Sequence, residues 1–259
     1  MKKFLYVGCG NHRLEGFTHV EIDFAKQYSK NMVVKPPEIL CDITKKIPLE
    51  DNSVELIFSS ETMEHLKYRE FLNHLIECHR ILKIGGCVRI CVPDLDYFVK
   101  KFIEKKSNIE EEKKLYRNDN DPDFPFTNHS ELFVKEIMYH DHFYNHNFET
   151  LSNCLKKVGF GDIKRNINGD YKHDNTLISS SINKAEQNRN ELLIVSAKKI
   201  NAATKISKFD LEIRKNVVNK VLEKFFNLQL KPANKRKTHF PQKNFFKEKI
   251  YKIKNYFSK

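Results

Sequence analysis

No stretch of about 18 or more uncharged apolar residues occurs in this 259-residue chain, so no membrane-spanning helix is expected. The apolar run between Met1-Lys2-Lys3 and Gly8-Cys9-Gly10 is too short for a signal peptide. The six cysteines, Cys9, Cys41, Cys78, Cys87, Cys91 and Cys154, form no CxxC pair. Zinc frameworks and disulfide scaffolds are therefore not expected, no metal site is expected, and reduced thiols in a cytoplasmic protein are. Acidic residues are scarce past position 200: Asp210, Glu212, Glu223 and Glu248 stand against 16 Lys and Arg. Residues 1–200 are charge-balanced, so the whole net charge of +12 sits in the last 59 residues. We read residues 1–200 as one catalytic domain and 201–259 as a basic helical tail.

What is present in the first part is a β/α alternation. Phe4-Leu5-Tyr6-Val7, ended by Gly8, suits a central strand buried on both faces. Further strands are expected over Thr18–Ile22, Ile39–Cys41, Val54–Phe58 and Cys87–Val92. Between the last two, Leu72, Leu75, Ile76, His79 and Leu82 recur at helical spacing, with Gly85-Gly86 as the stop. Asp94 is placed to cap a helix through Tyr97, Phe98 and Phe102. Residues 107–145 are polar, with Asp and Pro clustered near 119–125, and are expected to be an irregular inserted loop or lid. A helix over Phe148–Val158, ended by Gly159, then precedes strands near Ile163–Ile167 and Leu192–Ala197. Five strands alternating with helices and then two more imply a doubly wound α/β fold with a seven-stranded, mostly parallel sheet.

In such a sheet the ligand lies beyond the carboxyl ends of the strands, where strand order reverses. There the sequence offers Gly8-Cys9-Gly10, a turn whose backbone can approach a ligand closely. A carboxylate ending the second strand is expected to hold a ribose diol, and Glu21, followed by Asp23, stands there. Asp42 ends the third strand and could meet an adenine edge, while Ser59-Ser60-Glu61 ends the fourth. A nicotinamide oxidoreductase requires GxGxxG, yet Gly10 is followed by Asn11, His12 and Arg13 and the next glycine is Gly16.

These segments resemble the type 11 methyltransferase group, in particular a subgroup of predicted S-adenosylmethionine-dependent methyltransferases. The resemblance runs through Tyr6–Asn11 and Gly16–Asp23, then Asp42 with Ile47–Ile57, then Ser59–Leu66, then Leu82–Gly86 through Val92–Leu95, and last His142 to Phe160. It implies a class I methyltransferase with S-adenosyl-L-methionine as cofactor. Gly8, Cys9 and Gly10 would pass close to its methionine part, Glu21 would bind the ribose hydroxyls, Asp42 would contact the adenine, and Ser59 with Ser60 would line the sulfonium. Two positions depart from the usual pattern: Leu5-Tyr6 stand where many relatives carry an acid, and His12 replaces the third glycine.

Methyl transfer from a sulfonium is an in-line displacement, so a base is needed only for a hydroxyl or a protonated amine. His142 and Asp94 are the candidate bases, with His140, Glu61 and His65 nearby in sequence. A saccharide or cell-envelope intermediate is the expected acceptor, by resemblance to surface-polysaccharide enzymes. In the tail, Ile206 to Phe225 recur at helical spacing, and Phe246, Ile250, Ile253 and Phe257 form a stripe among lysines. Residues 229–259 could therefore lie on an anionic membrane surface, making the protein peripheral at the inner membrane, or track nucleic acid. An RNA methyltransferase and a non-catalytic binding module on the same fold remain as alternatives.

Overall fold

The computed structural model describes residues 4–22, 35–115, 126–138 and 142–202. Met1–Ser207 form one compact unit and Lys208–Lys259 a second. The second unit, and with it every expectation for the tail, lies outside the described residues, as do Asp23 and His140.

Seven strands, β1 (Phe4–Val7), β2 (Thr18–Glu21), β3 (Ile39–Leu40), β4 (Val54–Ser60), β5 (Leu82–Pro93), β6 (Phe160–Arg165) and β7 (Leu192–Lys199), make one sheet. Their order is β3-β2-β1-β4-β5-β7-β6. All pairings from β3 through β5 are parallel, and β7 runs antiparallel to both β5 and β6. Strand order therefore reverses between β1 and β4. Alternation along β1 sends Leu5 and Val7 to one core and Tyr6 to the other. The first core packs β1, β4 and β5 against α1 (Tyr68–Ile81) and α5 (Phe148–Val158) through Phe71, Leu75, Leu151 and Leu155. The second packs Tyr6, Phe58 and Ile194 against Ile178 and Ile182 of α6 (Thr176–Glu186).

Several local expectations were met. Asp94 caps α2 (Leu95–Glu104) by accepting the Asp96 N–H at 3.1 Å. Gly159 closes α5 at φ 116° as expected, and Asn147, not singled out in the sequence, opens it in a reciprocal capping box with Thr150.

Two local expectations need correction. Gly85-Gly86 do not stop a helix, because α1 already ends at Ile81 and Leu82 begins β5. Val54 pairs with Leu82 and Leu56 with Cys87, so residues 83–86 bulge from the strand. A Cβ on Gly86 would stand 2.9 Å from the Lys83 carbonyl, which is why the bulge takes glycine. Residues 107–145 are not irregular throughout either: the described part holds α3 (Ile109–Leu115) and α4 (His129–Met138). Lys101 of α2 joins them by ion pairs to Glu112 (2.7 Å) and Glu136 (2.6 Å), and Phe102 stacks on Phe133 at 5.0 Å.

Inside the first core, His74 is fully buried between the Ile43 carbonyl (2.9 Å from Nδ1) and Cys78 Sγ (3.2 Å from Nε2). Burial lifts the Cys78 thiol far above its usual range, so it stays protonated and donates to Nε2, leaving Nδ1–H for the carbonyl. The same burial pulls His74 down from 6.5 to about 4. The unfolded chain therefore binds more protons than the folded one between those two values, and stability falls as pH drops through that window. At about 1.4 kcal/mol per pH unit, this histidine alone contributes a loss of about 3 kcal/mol by pH 4. His79, likewise buried and lowered to about 4, acts in the same direction. Urea unfolding at pH 7, 5.5 and 4.5 is expected to show a falling midpoint with little change in slope; a flat profile would contradict both burials.

Candidate functional site

The carboxyl ends of β1, β2 and β4 converge at the reversal point. Gly8 (φ 65°) and Gly10 (φ 51°) both hold left-handed backbone there. The Gly8 N–H donates to the Val20 carbonyl (2.9 Å), and the Thr62 hydroxyl donates to the Gly8 carbonyl (2.9 Å). A Cβ on Gly8 would lie 2.1 Å from Thr62 Cγ2, so this position excludes every side chain twice, by conformation and by space. Thr62 thus locks the loop after β4 onto the turn after β1.

Glu21 is buried at the end of β2. Its Oε2 accepts the Gly10 N–H at 2.7 Å and its Oε1 accepts the Ile22 N–H at 2.8 Å. The glycine turn and the β2 carboxylate are therefore one assembly. Arg13 completes it, donating to the Gly10 carbonyl (2.9 Å), to Cys9 Sγ (3.2 Å) and to the Lys35 carbonyl. Burial outweighs that cation and pushes the Cys9 thiol up to about 11, so it is no nucleophile at neutral pH.

The remaining residues singled out in the sequence are spread more widely. Asp42, exposed just beyond β3, uses Oδ1 to accept the Thr44 N–H (2.9 Å) and hydroxyl (2.7 Å). Ser59 is fully buried with no partner for its Oγ among the described residues, while Ser60 is half-buried and, by strand alternation, on the opposite face. Glu61 is taken by Arg189 in two bonds, of 2.6 and 3.0 Å. Asp94, buried and raised by that burial, accepts from Arg165 at 2.5 Å as well as capping α2.

His142 falls elsewhere, beside the short helical turn Met63–His65 that follows β4. The Glu64 carbonyl accepts the Phe143 N–H (2.8 Å) and the Tyr144 N–H (3.2 Å), which pins this segment down. The His65 and His142 rings then meet edge to face, 5.0 Å between centroids. Glu64 itself is 1% exposed, and burial pushes its carboxyl up to about 8. Neither of its carboxyl oxygens has a hydrogen-bond partner among the described residues. Sequence reading singled out His65 and His142 but passed over Glu64 and Thr62, whose roles arise from contacts between segments remote in the chain.

Residues 5–90 match a family model described as a methyltransferase domain. No curated protein matches the chain. Among solved structures it is similar to a SAM-dependent methyltransferase from Archaeoglobus fulgidus, at 18% identity over 76% of this chain and 86% of that one, TM-score 0.42. It is also similar to a SAM-dependent methyltransferase from Thermotoga maritima, described as a possible histamine N-methyltransferase, at 16% identity over 76% and 82%, TM-score 0.40. A third similarity is to the Haemonchus contortus phosphoethanolamine N-methyltransferase 2 in complex with S-adenosyl-L-methionine, at 16% identity over 77% of this chain and 49% of that one, TM-score 0.41. The matched residues 5–90 take in the glycine turn, Glu21 and the loop after β4, so the part of the chain that resembles a methyltransferase domain is the part that builds this site.

Proposed function

We propose that the chain transfers the methyl group of S-adenosylmethionine to a hydroxyl of a saccharide or other cell-envelope intermediate. The residues fit the cofactor at its ribose. An ionised carboxylate offers about four acceptor positions, and Glu21 has committed one on each oxygen to a backbone N–H. Two remain, the number a vicinal diol needs. Gly8 to Gly10 would run along the methionine part, Asp42 would reach the adenine, and Ser59 and Ser60, at the end of β4, would line the sulfonium side.

The cofactor supplies a methyl group on a positively charged sulfur, which is a good leaving group. The chain's part is to position the acceptor and to manage the proton its hydroxyl gives up as the oxygen attacks. The observation that carries the reading is the cluster of Glu64, His65 and His142, which brings two imidazoles and a carboxyl together beside the turn that follows β4. Asp94 is less suited to that work, because Arg165 and the α2 N-terminus already engage both of its oxygens.

The test is a transfer screen with methyl-labelled cofactor and the full chain, offering sugar nucleotides, lipid-linked sugars and RNA. Label is expected in a sugar hydroxyl, and replacing His142 with alanine is expected to lower kcat by about 10² to 10⁴. Label in RNA alone, or in no sugar, would overturn the acceptor class.

A further inference from the structure

We propose that Glu64, His65 and His142 form a site for a divalent transition-metal ion that carries the acceptor hydroxyl. One ligand atom from each of the three side chains lies within 4.8 Å of the others. Metal–ligand bonds of about 2.0 to 2.2 Å at tetrahedral angles set ligand atoms about 3.3 to 3.6 Å apart, so loading closes the cluster by up to about 1.5 Å. Small side-chain rotations are enough for that.

The second and independent observation is the carboxylate. Glu64 is 1% exposed and both its oxygens lack a hydrogen-bond partner among the described residues. Burying such a group unsatisfied costs several kcal/mol, and proteins rarely leave it so without a reason. Nor is its position accidental. The Glu64 backbone carbonyl takes the N–H groups of Phe143 and Tyr144, so the bonds that hold His142 in place also hold the carboxylate beside it. A cation at their common focus satisfies the carboxylate and gives all three side chains one task.

The ligand set selects the ion. Two imidazoles with one carboxylate suit zinc, manganese, iron or cobalt rather than magnesium or calcium, which prefer all-oxygen shells. Three protein ligands leave open positions, the arrangement of catalytic rather than structural sites. Residue spacing does not announce the site, since positions 64–65 and 142 are far apart and carry no recognised ligand spacing.

In the reaction the ion binds the acceptor oxygen and lowers its pKa, as it does for bound water. The O–H bond breaks and the proton leaves to solvent; the oxygen bonds to the methyl carbon; the carbon–sulfur bond breaks and its electron pair stays on sulfur. His142 is then a ligand, and no separate base or redox partner is required. This role rests on the hydroxyl-acceptor reading, whereas the ion site itself does not.

Cobalt(II) titration of the full chain tests it. Saturable binding of one equivalent is expected, with weak d–d absorption and no thiolate charge-transfer band that would report the cysteines. Glu64→Gln and His142→Asn are each expected to weaken binding by more than about tenfold, and to leave the affinity for S-adenosylmethionine within about twofold. The retained cofactor affinity shows that the variants are folded. Failure to saturate, a thiolate band, or equal binding by the variants would overturn the site. A confirmed site without sugar methylation would leave the ion standing and remove the acceptor class instead.

Discussion

Replacing Glu21 with alanine is expected to raise the Kd for S-adenosylmethionine by about 10² to 10⁴. The side chain would accept two ribose hydroxyls, and a hydrogen bond to a charged group is worth about 1.5 to 3 kcal/mol. Two of them amount to about 3 to 6 kcal/mol, and each 1.4 kcal/mol is about tenfold in affinity. The cost extends to the glycine turn, because the Gly10 N–H loses the acceptor that orients it at 2.7 Å. Glutamine is no rescue. Its amide has one oxygen, so either Gly10 or Ile22 faces an NH₂ group where it now meets an oxygen. Calorimetric titration should show the loss for S-adenosylmethionine and for its demethylated product alike, since both carry the same ribose. A loss confined to the methylated form, or a change below about threefold, would remove Glu21 from the ribose site.

That this residue could be chosen from sequence follows from how a parallel sheet encodes itself. A strand buried on both faces reads as an apolar run that a turn or polar residue must end, so Val7-Gly8 marks the end of β1, while the end of β2 was legible to within one residue, expected at Ile22 and found at Glu21. The helix α5 was legible from its buried stripe, Leu151, Leu155 and Val158, and from Gly159 as its stop, while its Asn147 cap was passed over. Elements stabilised by neighbours were not. In α6 the serines at 179–181 hide an apolar face of only Ile178 and Ile182, and the helix is held by what it packs on. The helices α3 and α4 depend on Lys101, a residue outside the segment, which unites two carboxylates that would otherwise repel. Gly85-Gly86 were read as a helix stop because glycine serves stops and bulges alike, and only the pairing of β4 with β5 decides between them. Glu64 was illegible for a further reason: a glutamate in a polar segment is ordinarily solvated, and its burial is a fact about the fold rather than about the residue.

The largest effect on stability is expected from Arg89 and Glu186. Arg89 projects from β5 and donates through Nε at 2.5 Å and Nη2 at 2.8 Å to the two oxygens of Glu186, the last residue of α6. Both side chains are 1% exposed. The Tyr171 ring lies 4.8 Å from the guanidinium carbon, and the Gly169 N–H donates to the same carboxylate at 3.2 Å. Removing either partner strands a buried charge, so Arg89→Met or Glu186→Gln alone is expected to cost about 3 to 5 kcal/mol. For a domain of this size that lowers the melting midpoint by roughly 6 to 20 °C. Replacing both together, Arg89→Met with Glu186→Met, removes the stranded charge and is expected to recover most of the loss, because an apolar pair of similar volume costs no desolvation. The urea-unfolding cycle over wild type, both singles and the double then reads the coupling directly, and its expected size exceeds about 2 kcal/mol. Single variants that unfold within about 1 kcal/mol of wild type would mean that water reaches the pair, and α6 would then owe its place to Ile178 and Ile182 alone.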